Sequence, residues 1–160
     1  MNPLSLCPRR RRLLVAVLLA SVTGGARAGA SAGAPAAIRL EAETGQPAGA
    51  VKVATAAAGY SGTGYVTDFL DDGDRVTLTF RAATGLYALA IRYRSPHKGF
   101  LVDVNGLTLS GMFADSGGAF VERDYGKVTM RDGENVLAIH GGWKHYEIDR
   151  VDLTPVAAPP

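Results

Sequence analysis

Two segments of alternating hydrophobicity, residues 75–81 and 86–94, constrain the fold more than any other feature of the sequence. Apolar side chains occupy every second position in both, at Val76, Leu78 and Phe80 in the first and at Tyr87, Leu89, Ile91 and Tyr93 in the second. A period of two predicts strands that bury one face. No segment shows a helical period, so the chain is predicted to be all-β.

Turn residues divide the rest of the chain into short strands. Asn105-Gly106 supplies the two positive-φ positions of a type I′ turn and predicts a hairpin over residues 100–113. The loop 83–85 predicts a second hairpin, between the two alternating segments. Residues 131–135 introduce a further strand, and Pro155 ends the last one. Short strands at roughly ten-residue spacing predict an antiparallel β-sandwich.

The N-terminus carries a targeting signal. Arg9–Arg12 precede an apolar run from Leu13 to about Val22, and Ala26 and Ala28 follow it. These are the three regions of a secretory signal peptide, predicted over residues 1–28. A membrane anchor is the alternative, but the run falls short of the about 20 residues that span a bilayer. We expect a secreted or periplasmic protein with no membrane association after cleavage.

Cleavage changes the charge and the cysteine content of the chain. Five of its 17 basic residues lie in the signal, which leaves twelve against 15 acidic ones and a net charge near −3. A basic surface for nucleic acid is therefore not expected. Cys7, the single cysteine, also leaves, so stability must come from packing or from a bound metal. The predicted organisation is a linker over 29–37, one domain over 38–154 and a tail over 155–160.

Motifs for catalysis are incomplete. Thr63 replaces the second glycine of a nucleophile elbow in GYSGTG, and Thr67 replaces the last glycine of a dinucleotide-binding motif in GTGYVT. The segment 71–74, DDGD, lacks the spacing of an EF-hand and is typical of a solvated turn. The three histidines show no zinc-site spacing. Any two of the acids could still form a glycosidase pair, so a small glycoside-active enzyme remains an alternative.

The acidic pair of residues 41–43, EAE, favours a metal site. In a strand, Glu41 and Glu43 would point to the same face, where two carboxylates repel unless a cation lies between them. Oxygen ligands at this spacing suit Ca²⁺, and Asp149 from the last strand would complete the cage. An exposed acidic face is the other interpretation.

Several pieces of the sequence, taken in order, resemble the carbohydrate-binding modules of family 35, which are related to those of family 6. They are IRLEAE, AGYSGTGYVTDF, GDRVTLTF, GLYALAIRYR, VDVNG and GGWKHYEIDRVDL, spread over residues 38–154. The resemblance implies a β-sandwich jelly roll with a structural calcium near one edge. The ligands implied are Glu41, Glu43, Asp149 and backbone carbonyls near Ala56 and Gly59.

The resemblance also implies a sugar site in the loops at one end of the sandwich. Trp143 corresponds to the aromatic residue in the loop before the last strand, and its surroundings resemble those of mannan-binding members. An indole can stack on the C–H face of a pyranose, and Gly141 and Gly142 would let the loop expose the ring. A core position for Trp143 is the alternative. Further candidates for sugar contact are Tyr60, Asp68, Arg94, Phe113, Lys144 and His145. Of these, Asp68 and Phe113 are expected on loops that reach the same site, and Arg94 could bind the carboxylate of an acidic sugar.

The sequence therefore predicts a secreted, monomeric, non-catalytic module that binds a mannan-like polysaccharide or a related β-glycan and holds structural calcium. A protein-interaction or adhesion module on the same fold remains open, because a fold does not dictate a function.

Overall fold

The computed structural model describes residues 35–143 and 145–157. The predicted signal peptide, most of the predicted linker and the end of the predicted tail lie outside the described residues. Residues 35–37 precede the first strand without regular structure, and the last strand runs to Pro155, one residue beyond the predicted domain boundary. In the described part of the chain, no helix is long and apolar enough to cross a membrane.

Eleven strands and one short 3₁₀ turn make up the described chain. The strands are β1 (Ile38–Glu41), β2 (Gln46–Ala48), β3 (Lys52–Ala54), β4 (Tyr65–Thr67), β5 (Arg75–Ala82), β6 (Gly85–Arg94), β7 (Lys98–Val104), β8 (Leu107–Phe113), β9 (Val121–Met130), β10 (Gly133–His140) and β11 (Glu147–Pro155), and the turn is Ala42–Thr44.

The strands form two antiparallel sheets. The first has the order β3-β4-β11-β6-β9, with β1 also paired to β11. The second has the order β2-β5-β10-β7-β8. The apolar faces of the sheets meet in one core, as in a β-sandwich. The predicted all-β sandwich is confirmed.

The two alternating segments bury the faces that their sequences predicted. Val76 and Leu78 of β5 lie in the core, as do Tyr87, Leu89 and Tyr93 of β6. The Asn105-Gly106 hairpin is also confirmed, because both residues have positive φ and Val104 pairs with Leu107.

The hairpin predicted at residues 83–85 is wrong. β5 and β6 belong to different sheets, so residues 83–84 carry the chain across the sandwich instead of joining paired strands. Tyr87 donates a hydrogen bond to the carbonyl of Ala83 and fixes this crossing. The sequence of a short loop between two amphipathic strands does not show whether the strands pair in one sheet or face each other in two sheets. The same residues are buried in both cases.

An aromatic cluster fills the core at the end of the sandwich where β6 ends and β7 begins. Phe100 and Tyr93 stack on Phe113, and Phe69 stacks on Tyr146. Stacked rings with centroids about 4–5 Å apart stabilise the core beyond the area that they bury. This rigid floor supports the loops that carry the candidate site.

Candidate functional site

Trp143 lies on the surface, on a loop with an unusual backbone. Gly141, Gly142 and His145 all have positive φ, and the amide of Trp143 donates a hydrogen bond of 2.9 Å to the carbonyl of Gly99. The side chain of Trp143 is 60 % exposed. Gly141 and Gly142 therefore allow the loop to expose the indole, as the sequence predicted. The alternative of a tryptophan buried in the core does not apply.

The indole lies against the outer face of the second sheet. A Cβ at Gly99 would lie in van der Waals contact with the indole at 3.6 Å and with the sulfur of Met112 at 3.4 Å, so the ring lies directly over this residue. The imidazole of His97 meets the indole edge-on, with 6.2 Å between ring centroids. One face of the ring is thus supported while much of its surface stays open to solvent.

A glycine is required at position 142. Its φ is +70°, and a Cβ there would overlap the carbonyl of Gly99, which is the atom that holds Trp143. We expect Gly142→Ala to reduce the free energy of unfolding by at least about 1–2 kcal/mol and to displace the indole. Chemical denaturation and the emission of the single tryptophan would measure both effects.

Gly73→Ala is the matched control, because the space around Gly73 is open and its φ is ordinary. A Gly142→Ala variant with unchanged stability and emission would show that this loop does not need the close approach to Gly99.

A cleft of about 460 Å³, lined by both polar and apolar groups, opens beside this loop. Three of the candidate sugar-contacting residues, Asp68, Arg94 and His145, line it. Its other lining residues are Thr67, Leu70, Ser95, Pro96, Asp115, Ser116, Gly118, Tyr146 and Glu147. The cleft brings together carboxylates, hydroxyls, an imidazole and a guanidinium, which suits a ligand rich in hydroxyl groups.

The charged groups of the cleft are mostly paired. Arg94 forms a two-point ion pair with Glu147, and the hydrogen bonds that Arg94 donates to this carboxylate raise the pKa of Arg94. Lys52 forms an ion pair with Asp68 at 2.7 Å, and this hydrogen bond raises the pKa of Lys52. The charge of Arg94 is therefore already neutralised by Glu147, so Arg94 does not offer an unpaired cation to the carboxylate of an acidic sugar.

Two of the predicted sugar-contacting residues lie elsewhere. Phe113 is the last residue of β8, not part of a loop, and it is fully buried between Phe100 and Tyr93. Its ring supports the floor of the cleft and cannot touch a ligand. Tyr60 packs on Tyr65 in a second cluster and is not among the described residues that line the cleft. Lys144 lies outside the described residues.

Sequence reasoning missed Asp115, Ser116 and Glu147 as cleft residues. Ser116 holds its loop to the end of β6, because its amide donates to the carbonyl of Ser95 and its hydroxyl accepts from the amide of Ser95. A turn signal was present in the sequence, since DSGG follows a strand at residues 115–118. The neighbouring sequence did not show that this turn lies at the same end of the sandwich as Trp143.

The predicted metal ligands converge on the loop 59–63. Glu41 accepts a hydrogen bond of 2.7 Å from the hydroxyl of Ser61, and Asp149 accepts one of 2.7 Å from the amide of Ser61. Glu43 accepts a hydrogen bond of 2.7 Å from the amide of Thr63. Three carboxylates, two from the start of the domain sequence and one from its end, thus surround the loop 59–63.

The prediction that Glu41 and Glu43 lie on the same face of one strand is wrong. β1 ends at Glu41, and Glu43 lies in the 3₁₀ turn, so the two do not share a strand face. The turn brings both carboxylates to Gly62 instead, where a Cβ would overlap Glu43 Oε1. Asp149 is fully buried because it occupies a bulge in β11, between Ile148 and Arg150.

Guanidinium groups already compensate part of this negative charge. Arg92 donates to Asp149 at 2.5 Å and to the carbonyl of Gly59 at 2.7 Å, and Arg150 donates to Ser61. Within residues 35–143 and 145–157, no group of three histidine, cysteine or acidic side chains has the arrangement of a metal site. Ala56 is exposed at the start of the same loop.

One oxygen at this site has no hydrogen-bond partner. Glu43 Oε2 is buried and unpaired among the described residues, which is costly for a carboxylate. A hard cation would satisfy it, and carboxylate and carbonyl oxygens are the ligands that Ca²⁺ prefers. The donor set therefore fits calcium chemically, with Arg92 as a competing partner for Asp149.

The comparisons agree with this architecture. The model of the carbohydrate binding module (family 35) matches residues 38–156. The chain belongs to this family. Mannan endo-1,4-β-mannosidase of Thermothelomyces thermophilus is 36 % identical over 111 residues, which are 68 % of this chain and 23 % of that protein. Mannan endo-1,4-β-mannosidase B of Piromyces sp. is 30 % identical over 115 residues, 70 % of this chain and 20 % of that protein.

Solved structures show the same fold for the module. The GH26-CBM35 β-(1,4)-mannanase of Podospora anserina matches with a TM-score of 0.73 and 32 % identity, over 78 % of this chain and 29 % of that one. A family 35 module of Clostridium thermocellum matches with a TM-score of 0.67 and 21 % identity, over 76 % of this chain and 99 % of that one. The chain spans less than a quarter of the length of the curated relatives named above.

Proposed function

We propose that this chain is a secreted, non-catalytic module that binds a mannan-like polysaccharide through Trp143 and the adjoining cleft. The observation that carries the proposal is the exposed indole, held over Gly99 on a loop of positive-φ residues. A loop with two positive-φ glycines holds the indole outside the core, beside a cleft with several polar groups, and this combination indicates a ligand surface. The similarity to regions of mannan-degrading enzymes favours mannan.

The mechanism is stacking combined with hydrogen bonding. One face of a pyranose ring carries C–H groups that lie flat on an indole, while its hydroxyls point outward to polar partners. The cleft offers carboxylate and hydroxyl groups of Asp68, Asp115 and Ser116 for those hydroxyls. A single stacked ring and a few polar contacts correspond to a Kd of about 10–100 µM, or about −5.5 to −7 kcal/mol.

A neutral polysaccharide fits better than an acidic one. Arg94 is the strongest cation of the cleft, but Glu147 occupies its guanidinium. The carboxylate of Asp115 would repel a uronic acid unless a cation accompanied it. Mannan carries no charge and meets no such repulsion.

Calcium in this proposal is structural. Glu41, Glu43 and Asp149 would hold it, close to the carbonyl of Gly59. When bound, the ion supplies positive charge that neutralises the carboxylates and joins β1, the loop 59–63 and β11. The chain itself places these three carboxylates, of which Asp149 is buried and Glu41 and Glu43 are partly exposed, around the loop 59–63. The sugar cleft is lined by other residues.

Retention on insoluble polymers tests the proposal. We expect the purified protein to bind mannan more strongly than cellulose or xylan and to release no reducing ends over hours. Retention by an immobilised protein but by no glycan would favour an adhesion module, and reducing-end release would favour an enzyme. Either result would overturn the proposed function.

A further inference from the structure

One edge of the second sheet lacks the features that normally prevent edge-to-edge pairing. Natural edge strands are short, charged, bulged or interrupted by proline. Among the described strands, β1, β2 and β3 have three or four residues each, and β9 carries charged side chains and a shift of register opposite β6. The protecting residues are Arg39 in β1, Pro47 in β2, Lys52 in β3 and Glu122, Arg123, Asp124 and Lys127 in β9. β8, with the sequence LTLSGMF, has seven residues and none of these features.

The hairpin turn determines which backbone groups of β8 face outward. A two-residue turn makes Val104 and Leu107 a hydrogen-bonded pair, so the odd-numbered residues of β8 bond to β7. The amides and carbonyls of Thr108, Ser110 and Met112 therefore point away from β7, and β8 is the last strand of its sheet.

The same three residues place their side chains on the outer face of the sheet. Thr108, Ser110 and Met112 are exposed, whereas Leu109 packs on the core and a Cβ at Gly111 would overlap the ring of Phe100. A strand added beside β8 would thus meet uncharged side chains on one face and uncharged backbone groups along its whole length.

We propose that β8 pairs antiparallel with β8 of a second copy of this chain, with the two-fold axis at Ser110. This register pairs Ser110 with its own symmetry mate and Thr108 with Met112, and it forms roughly six backbone hydrogen bonds. The result is a weak dimer with a continuous ten-stranded sheet, in place of the monomer expected from the sequence.

A second copy fits this edge better than another partner does. Two-fold pairing brings an uncharged strand against an uncharged strand, so no like charges lie directly opposite each other. The pairing also stops at a dimer, because each copy has one unprotected edge among its described strands and the two-fold contact uses both of these edges. The charged side chains of β9 oppose the same pairing there.

The pairing has a consequence for binding that rests on the proposed function. Trp143 lies over Gly99, which pairs with Met112 of β8, so the indole is near this edge and on the outer face. In the dimer both indoles face the same side of the joined sheet. A polymer that contacts both gains from the high effective concentration of the second site.

Charge substitutions at the symmetry axis test the pairing. Sedimentation velocity over a micromolar-to-millimolar series should show the wild type dimerise, while Ser110→Lys and Ser110→Glu should each stay monomeric because like charges meet at the axis. An equimolar mixture of the two variants should dimerise again. Thr79→Lys is the matched control, since Thr79 is exposed on the inner strand β5 of the same sheet.

A wild type that stays monomeric throughout, or a Ser110→Lys variant that dimerises like the wild type, would overturn the inference. Unchanged melting temperatures exclude misfolding, and recovery in the mixture excludes it independently. The proposed function is separable, because monomeric Ser110→Lys should still bind a soluble mannooligosaccharide with wild-type affinity. Loss of glycan binding in an intact dimer would count against the function alone.

Discussion

Trp143→Ala should abolish retention on mannan while the protein stays folded. Central aromatic anchors at binding surfaces contribute about 2 kcal/mol or more, which is about a 30-fold loss of affinity. From a Kd near 50 µM, such a loss brings binding to about the millimolar range, below what a retention assay detects. The melting temperature should change little, because surface substitutions usually alter the free energy of unfolding by about 0.5 kcal/mol or less.

Leu86→Ala is the control for this substitution, since Leu86 is an exposed apolar residue at the opposite end of β6 from the cleft. Its affinity should equal that of the wild type. Trp143→Phe should bind with intermediate affinity, because a smaller ring buries less of the sugar. Because Trp143 is the single tryptophan, its emission should also shift as mannooligosaccharide is added. A Trp143→Ala variant that binds normally, or one that unfolds, would rule out the indole as the sugar platform.

The sequence predicted those features that depend on local pattern. Alternation identified β5 and β6 and the residues that they bury, and Asn105-Gly106 specified a turn because few other residues adopt two successive positive φ values. Gly141 and Gly142 indicated an exposed Trp143 for the same reason. Each of these signals is contained in a few consecutive residues.

The features that the sequence did not predict depend on long-range pairing. The pairing of β10 with β5 and of β11 with β6 separates β5 and β6 into different sheets, although they are consecutive in the chain. β9 was missed because its alternation is obscured by charged residues on an exposed edge. Phe113 was predicted to lie on a loop, because its position at the end of the hairpin does not show whether its side chain faces the core or the solvent.

The candidate metal site was predicted partly from local sequence and partly depends on long-range pairing. The sequence identified Glu41, Glu43 and Asp149, which the structure brings to one loop although more than 100 residues separate the first from the last. It did not predict the 3₁₀ turn, the bulge at Asp149 or the guanidinium of Arg92. Those features depend on how β11 pairs with its neighbours, and they determine how much charge remains for a cation.

Removal of calcium should lower the melting temperature of the wild type. A ligand that binds only the folded state stabilises it by about 2.7 kcal/mol at 100 times its Kd, which corresponds to about 10 °C for a domain of this size. Glu43 Oε2, which is buried and has no hydrogen-bond partner among the described residues, is the atom whose charge the ion would neutralise. Differential scanning calorimetry with excess calcium and then with chelator measures the difference.

Glu43→Gln should remove most of that difference, because it keeps the shape of the side chain but weakens a hard-cation ligand. Glu134→Gln, at an exposed acid on β10, is the matched control and should respond to chelator like the wild type. The absolute melting temperature of Glu43→Gln in chelator should equal or exceed that of the wild type, since the variant buries one fewer unpaired charge. Equal melting of the wild type with and without chelator would mean that Arg92 and Arg150, not a metal ion, compensate these carboxylates.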